Sequence, residues 1–218
     1  MDRKQGVYEK YIKRLADIAF ALAVLILFWW LYLIVAVLVR INLGSPVIFK
    51  QLRVGKNEKK FYMYKFRSMT DARDENGDLL SDDVRLTKFG RALRAISIDE
   101  FPEFFNILKG DMSVIGPRPL LVRYLDRYNE EQHHRHDVRP GLTGYAQTHG
   151  RNGVSWEDKF AMDVWYTKHI TLIGDIKIAL DTVMTVVKRE GISSKTSTTM
   201  EEFYGTPEDV VSTWKAPK

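Results

Sequence analysis

The hexapeptide Ser97-Ile98-Asp99-Glu100-Phe101-Pro102 sets two carboxylates side by side just ahead of a proline. Proline is tolerated in a helix only in the first turn, so Pro102 fixes a helix start close to Asp99. A carboxylate there can cap the helix and meet its dipole, or it can act on a substrate, and the hexapeptide alone leaves both open. Adjacent side chains on a helix diverge by about 100°, so Asp99 and Glu100 do not easily share one point ligand, and two different jobs are the natural inference. Arginines gather at turns: Arg94, Arg118 within Gly-Pro-Arg-Pro, Arg139 before Pro140-Gly141, and Arg151 in Gly-Arg-Asn. Any one of them is an ordinary solvated charge. Four beside rigid or turn-forming backbone, with Lys65 on an aromatic segment, point to a site for phosphate or diphosphate, whose oxygens match a guanidinium fork.

Other chemistries lose their support. The chain has no GxxxxGK[ST], GxGxxG or GxSxG, which removes the phosphate loop, the dinucleotide fingerprint and the hydrolase elbow. It also lacks Asp-x-Asp, the metal-diphosphate clamp of soluble nucleotide-sugar transferases. With no cysteine there is no disulfide scaffold, iron–sulfur site, thiol nucleophile or Cys-based zinc site. His133, His134 and His136 lack the i, i+4 spacing of a zinc pair and are expected to form a solvated helix end. Residues 71–85 (DARDENGDLLSDDVR) look like a calcium loop until Gly77 is put at position six, which leaves Ala72 at position one. A solvated loop is expected instead.

These residues need elements to carry them. Val47–Phe49 and Phe61–Phe66 are expected to pair across the polar Gly55–Lys60 turn. Helices are expected over 84–95, 99–109, 119–135, 155–168 and 174–189. Two turn-rich stretches, Lys109–Pro119 and Arg139–Gly153, separate them. In the last helix Ile176, Ala179, Leu180, Val183, Met184 and Val187 share a face, expected to be core, with a membrane-surface helix as the alternative. From Glu190 the chain turns polar and Ser/Thr-rich, as a loosely held tail does.

Ile18–Val39 is a run of 22 residues without charge, Asn, Gln, Gly or Pro. As a helix it reaches about 33 Å, roughly one hydrocarbon core. It is longer than the core of a secretory signal, and Arg40-Ile41-Asn42 follows it where a cleavage site would lie, so a retained membrane helix is expected. Basic residues on both sides (Lys10, Lys13, Arg14; Arg40, Lys50, Arg53, Lys56) draw both flanks to the cytoplasmic face. The flanks favour a helix that bends and returns; Phe28-Trp29-Trp30-Leu31 at the midpoint, with neither proline nor a polar side chain, favours a straight span. Re-entry is the expectation carried forward. Tyr8, Tyr11, Ile12 and Leu15 recur at helical spacing ahead of the run, as in a turn lying among headgroups.

Elsewhere the 218 residues suit one compact domain: 45% hydrophobic, 28% charged, net charge +5. A mean hydropathy of −0.25 excludes a polytopic membrane protein.

Taken together, KFRSM (65–69), Asp99-Glu100, GDMSVIGPRP (110–119) and RPGLTGYAQTHGRN (139–152) resemble the bacterial sugar transferases, the monotopic phosphoglycosyl transferases. The likeness runs from about Tyr8 to Arg189 and is strongest to the small enzyme that begins N-linked glycan assembly in Campylobacter-type bacteria. It implies transfer of a sugar-1-phosphate from a UDP-sugar to polyprenyl (undecaprenyl) phosphate, releasing UMP, at the cytoplasmic face of the bacterial inner membrane. It implies Asp99 as nucleophile and Mg²⁺ ligand, Glu100 as a second catalytic residue, and Lys65, Arg94, Arg118, Arg151 and Asp163 as substrate-binding residues. Members of this size commonly carry Ser-Pro where this chain has Trp29-Trp30. The expected architecture is α/β, a helix-rich α+β fold with a small antiparallel sheet. The expected division is a membrane-anchoring helix over 1–43, a catalytic domain over 44–189 and a tail over 190–218. A membrane partner is expected and a nucleic-acid partner is not; the oligomeric state stays open. The rivals are a polyprenyl-diphosphate phosphatase using the same cationic pocket and a non-catalytic membrane scaffold in which Asp99 is only a cap.

Overall fold

The computed structural model describes residues 5–150, 154–188, 202–207 and 210–217. Its N-terminal helix starts with a π-helical turn, Tyr8–Ile12, continues as α1 (Lys13–Leu27), breaks at Phe28 and resumes as α2 (Trp29–Leu43). The helix bends by 66° at this break. No single helix among the described residues is long and apolar enough to cross a membrane; the bent pair passes that test together, by length and composition only.

The break corrects the expectation that this midpoint holds no breaker. Phe28 leaves the helical region (φ −114°, ψ 17°), and the carbonyls just before it lose their normal partners. The Trp30 indole N–H donates to the Leu27 carbonyl at 3.1 Å, and the Leu31 and Tyr32 amides fold back onto the Phe28 carbonyl. A tryptophan ring here supplies the donor that a polar side chain was expected to supply.

The inner side of each arm is buried against the rest of the chain. Ala21 packs with Phe61, Met63, Phe104 and Ile107, and Val35, Val39 and Leu43 pack with Phe66 and Leu93. Each such buried valine or leucine contributes about 1.5–3 kcal/mol. Asp17, buried on α1, accepts from the Ser113 hydroxyl (2.7 Å) and the Val114 amide (2.9 Å). The outer side, with Phe20, Ile26, Leu27, Trp29, Leu33, Val37 and Ile41, is exposed.

Strands β1 (Ile48–Val54) and β2 (Lys60–Phe66) form the expected antiparallel pair, in register from Ile48 opposite Phe66 to Val54 opposite Lys60. A parallel pair not expected from the sequence, β3 (Ser113–Ile115) with β4 (Gly141–Thr143), lies in the two turn-rich stretches. Gly141 is required there, because a Cβ on it would sit 2.1 Å from the Gly116 amide nitrogen.

The helices expected over 155–168 and 174–189 form, whereas the three expected before them are shorter or broken. The 84–95 segment divides into α3 (Asp82–Arg85) and α4 (Lys88–Ala95), because Thr87 leaves the helix to cap α4 through the Gly90 amide at 3.0 Å. The 99–109 segment is a 3₁₀ turn, Ile98–Glu100, followed by α5 (Glu103–Lys109). The expected helix over 119–135 does not form. A 3₁₀ turn at Val122–Arg127 ends where Tyr128 is extended, and Asn129 then opens α6 (Glu130–His133) with a reciprocal capping box to Gln132. The Tyr128 ring enters a cluster with Phe160 and Phe203, which pulls the backbone out of helix. His133 and His134 are partly exposed with acid partners, but His136 is buried beside Tyr128, so only part of the triplet is a solvated helix end.

A short helix α7 (Tyr145–His149) precedes α8 (Trp156–Lys168) and α9 (Leu172–Lys188). On α9 the expected core face is turned outward: Ile176, Leu180, Val183 and Met184 are exposed, while Ile178 and Asp175 face the domain. The reason is polar, since Asp175 receives the Tyr8 hydroxyl, the Lys13 ammonium and the Tyr166 hydroxyl within 2.8 Å. The expectation of a loose tail does not hold for residues 202–207, where Phe203 is buried among Tyr124, Tyr128 and Phe160.

Candidate active site

The site forms where the end of β2, the turn after α4, the start of α5 and the Gly116–Pro119 segment converge. Ser97 adopts a left-handed conformation (φ +54°) that turns the chain out of α4. The 3₁₀ turn then presents Asp99 and Glu100, and Pro102 starts α5, so the helix proper begins four residues beyond Asp99. The N-cap of α5 is Pro102 and no side chain caps it, so Asp99 does not serve as the cap of that helix.

Glu100 and Asp99 sit in different surroundings. Glu100 accepts from Lys65 at 2.6 Å and from Arg118 at 3.1 Å. Burial pushes its carboxyl up, but these two cations outweigh that and hold it below the usual range. Lys65 also pairs with Glu103 at 3.1 Å. Burial, with Glu100 close by, raises the Glu103 carboxyl to about 7. The Asp99 carboxylate is buried and, among the described residues, has neither a hydrogen bond nor an ion pair. Burial raises it, while Lys65, Arg94 and Arg118 draw it back down through space. One carboxylate is thus locked in a cationic brace and its neighbour is left uncommitted.

Behind this group, Arg94 donates to the Ser68 hydroxyl at 2.9 Å. Gly90 lets α4 approach that loop, because a Cβ there would lie 1.8 Å from the Ser68 carbonyl oxygen. Arg53 reaches the Pro119 carbonyl at 3.3 Å; burial, then the nearby Arg118, lowers its proton affinity to a pKa of about 10.

The expected residues therefore divide. Lys65, Asp99, Glu100 and Arg118 come together, with Arg94 within electrostatic reach. Asp163 stands one residue back: its carboxylate is held by buried Arg135 at 2.8 Å, and Arg135 donates to the Arg118 carbonyl at 2.7 Å. Arg151 lies outside the described residues. Glu103, Arg135, Arg53 and Ser68 were not expected. Glu103 had a signal, its three-residue spacing from Glu100 on one helical face; Arg135 had none, lying in a segment expected to be continuous helix.

The donors limit the metal this site could hold. Glu100 and Glu103 are engaged by cations, and no group of three or more His, Asp or Glu side chains among the described residues converges to cage an ion. An ion that takes a single carboxylate and completes its shell with water and substrate phosphate oxygens, as magnesium does, fits Asp99.

A family model described as bacterial sugar transferase matches residues 8–189. A Bacillus subtilis protein named as an uncharacterized sugar transferase is 50% identical over 194 residues, covering 89% of this chain and 96% of that one. The UDP-N-acetylgalactosamine-undecaprenyl-phosphate N-acetylgalactosaminephosphotransferase of Aeromonas hydrophila is 40% identical over 81% of this chain and 44% of its own length. The UDP-glucose:undecaprenyl-phosphate glucose-1-phosphate transferase of Klebsiella pneumoniae is 39% identical over 78% of this chain and 39% of its own length. The chain thus spans nearly all of the first relative and under half of the other two. The match takes in the bent helix pair, both strand pairs and the cationic group around the acid doublet, and the chain belongs to the bacterial sugar transferase family.

Proposed function

We propose that the chain transfers a sugar-1-phosphate from a UDP-sugar to undecaprenyl phosphate, releasing UMP, at the cytoplasmic face of a bacterial inner membrane. The observation that carries this is Asp99, buried and unengaged beside Lys65, Arg94 and Arg118. A carboxylate with no partner in a cationic pocket is ready for an electrophile that brings its own negative charge.

The reaction runs in two displacements. The Asp99 carboxylate attacks the phosphorus nearer the sugar, and the bond from that phosphorus to the bridging oxygen breaks, so UMP leaves with the electron pair. The resulting acyl phosphate holds the phosphosugar until an oxygen of the lipid phosphate attacks the same phosphorus, which frees the carboxylate. Lys65, Arg94 and Arg118 bind the diphosphate oxygens and stabilise the charge that builds during each displacement. Glu100 holds Lys65 and Arg118 in place. Magnesium, held by Asp99 and the diphosphate, would supply further neutralisation of the phosphate oxygens.

Membrane attachment is supported by the exposed apolar outer side of the bent pair, the outward face of α9 and the basic flanks. Both ends of the bent pair then lie on the cytoplasmic side, with the site beside the bilayer where a lipid phosphate sits.

The test combines Mg²⁺, a panel of UDP-sugars and undecaprenyl phosphate, and reads UMP. Asp99→Asn should lower release by at least about 10³-fold with melting unchanged, as loss of a nucleophile does. Donor radiolabelled in the sugar should leave label on the wild-type protein before any lipid is added. Release that requires donor and lipid together, with no labelled protein, would overturn the two-step route; inorganic phosphate without UMP would indicate a phosphatase.

A further inference from the structure

The Asp99 side chain is buried and accepts no hydrogen bond among the described residues, so its position has to come from the backbone that carries it. That backbone is a single 3₁₀ turn, closed by the Glu100 amide on the Ser97 carbonyl and the Phe101 amide on the Ile98 carbonyl, both at 3.2 Å. Turns of this kind have poor hydrogen-bond geometry and hold their shape weakly. Contacts outside the turn must therefore fix it.

Both residues that flank the doublet rest on the N-terminal helix. Ile98 and Phe101 pack against the cluster of Val35, Val39 and Leu43 on α2. Phe101 also packs against the cluster around Ala21 of α1, and its ring meets Phe28 edge-on at 6.3 Å, so it sits in the crook of the bend. Tyr32, one turn beyond the break, adds a polar tie, its hydroxyl donating to the Phe101 carbonyl. The Tyr32 ring lies 5.8 Å from Phe101 and 5.8 Å from Phe66. Phe66 follows Lys65 and Phe101 follows Glu100, so one ring braces the neighbours of both partners in the 2.6 Å Lys65–Glu100 pair. With its hydroxyl committed to backbone, Tyr32 acts through these neighbours and not on the substrate.

We propose that Tyr32 is a positioning residue of the active site: by holding the Phe101 carbonyl and the rings of Phe66 and Phe101, it aims the Asp99 carboxylate at the phosphorus that it attacks. This rests on the transfer reading above. It makes the second arm of the bent helix part of the catalytic apparatus as well as an anchor. Attack by a held nucleophile is sensitive to placement, and a misplacement of about 1 Å costs on the order of 10²-fold in rate.

The test is steady-state UMP release by the full chain in detergent, with donor and lipid each varied, beside the rate at which sugar label reaches the protein. Tyr32→Phe keeps the ring and loses the hydroxyl. The Phe101 carbonyl still accepts the Phe104 amide at 3.1 Å, so the variant orphans no buried acceptor. We expect kcat and the labelling rate to fall together by about 10- to 100-fold. KM for donor and for lipid should stay within about two-fold of wild type, because the cations that bind phosphate are untouched. Tyr8→Phe removes a hydroxyl from the same helix at Asp175 and should keep kcat. A wild-type kcat in Tyr32→Phe, a loss carried by KM, an unchanged labelling rate or an equal loss in Tyr8→Phe would overturn the positioning role. Should Tyr32→Phe not fold, Phe101→Leu reads the tie from its other end, retaining the carbonyl and losing the ring. The same fall in kcat is expected there, and wild-type turnover would overturn the role. Wild-type protein that releases no UMP removes the transfer reading and this one with it, whereas full release by Tyr32→Phe removes this one alone.

Discussion

Lys65 holds Glu100 and Glu103 at once, and removing it leaves two buried carboxylates without their shared cation. Lys65→Met should cost about 3–5 kcal/mol of stability, the usual penalty for orphaning a buried charge; chemical unfolding in detergent measures it. Glu103 gives a pH signature with a definite sign. Its folded pKa, about 7, lies above the ordinary 4.5, so the folded protein binds this proton more tightly than the unfolded chain does. Its stabilisation is complete below about pH 4.5 and is lost as pH rises through about 7. Glu103→Gln should therefore flatten the decline in melting temperature between those two values; an unchanged slope would show that the group does not titrate there. At this scale much was legible. The acid doublet and the arginines beside proline are unusual enough in sequence to be singled out, whereas the Arg135–Asp163 pair depends on a fold of 119–135 that helical periodicity does not foretell.

Among the elements, the bend at Phe28 has the least visible origin. The apolar run was legible from composition, but its break was not, because Trp30 acts as a donor only once the chain has turned and brought the Leu27 carbonyl within reach. Trp30→Phe keeps the ring and loses that donor. It should lower stability by about 1–2 kcal/mol and widen the distribution of distances between spin labels on the two arms. The three-residue strands β3 and β4 were equally hidden, being too short to show alternation. Phe203 was hidden for a different reason, as a lone aromatic in a polar stretch. Its ring fills space between Tyr124, Tyr128 and Phe160, so Phe203→Ala should cost about 3–5 kcal/mol, read by thermal unfolding.

For the whole molecule, the open quantity is the side on which each end of the bent pair lies. The native chain has no cysteine, so a single introduced thiol reports its own location. Gln5→Cys and Lys59→Cys should both label in inverted membrane vesicles, which expose the cytoplasmic face, and neither should label from the opposite face. Labelling of Gln5→Cys only from the opposite side would establish a span and leave the catalytic proposal standing. The fastenings of the first helix also set an order of events during synthesis. Asp17 waits for Ser113 and Val114, and Lys13 for Asp175, 162 residues later. At ribosomal rates of about 5–20 residues per second, that interval is on the order of ten seconds. Over that interval Asp17 and Lys13 are made but lack the partners that fasten them in the fold, so water has to serve both charges until Ser113, Val114 and Asp175 have been added.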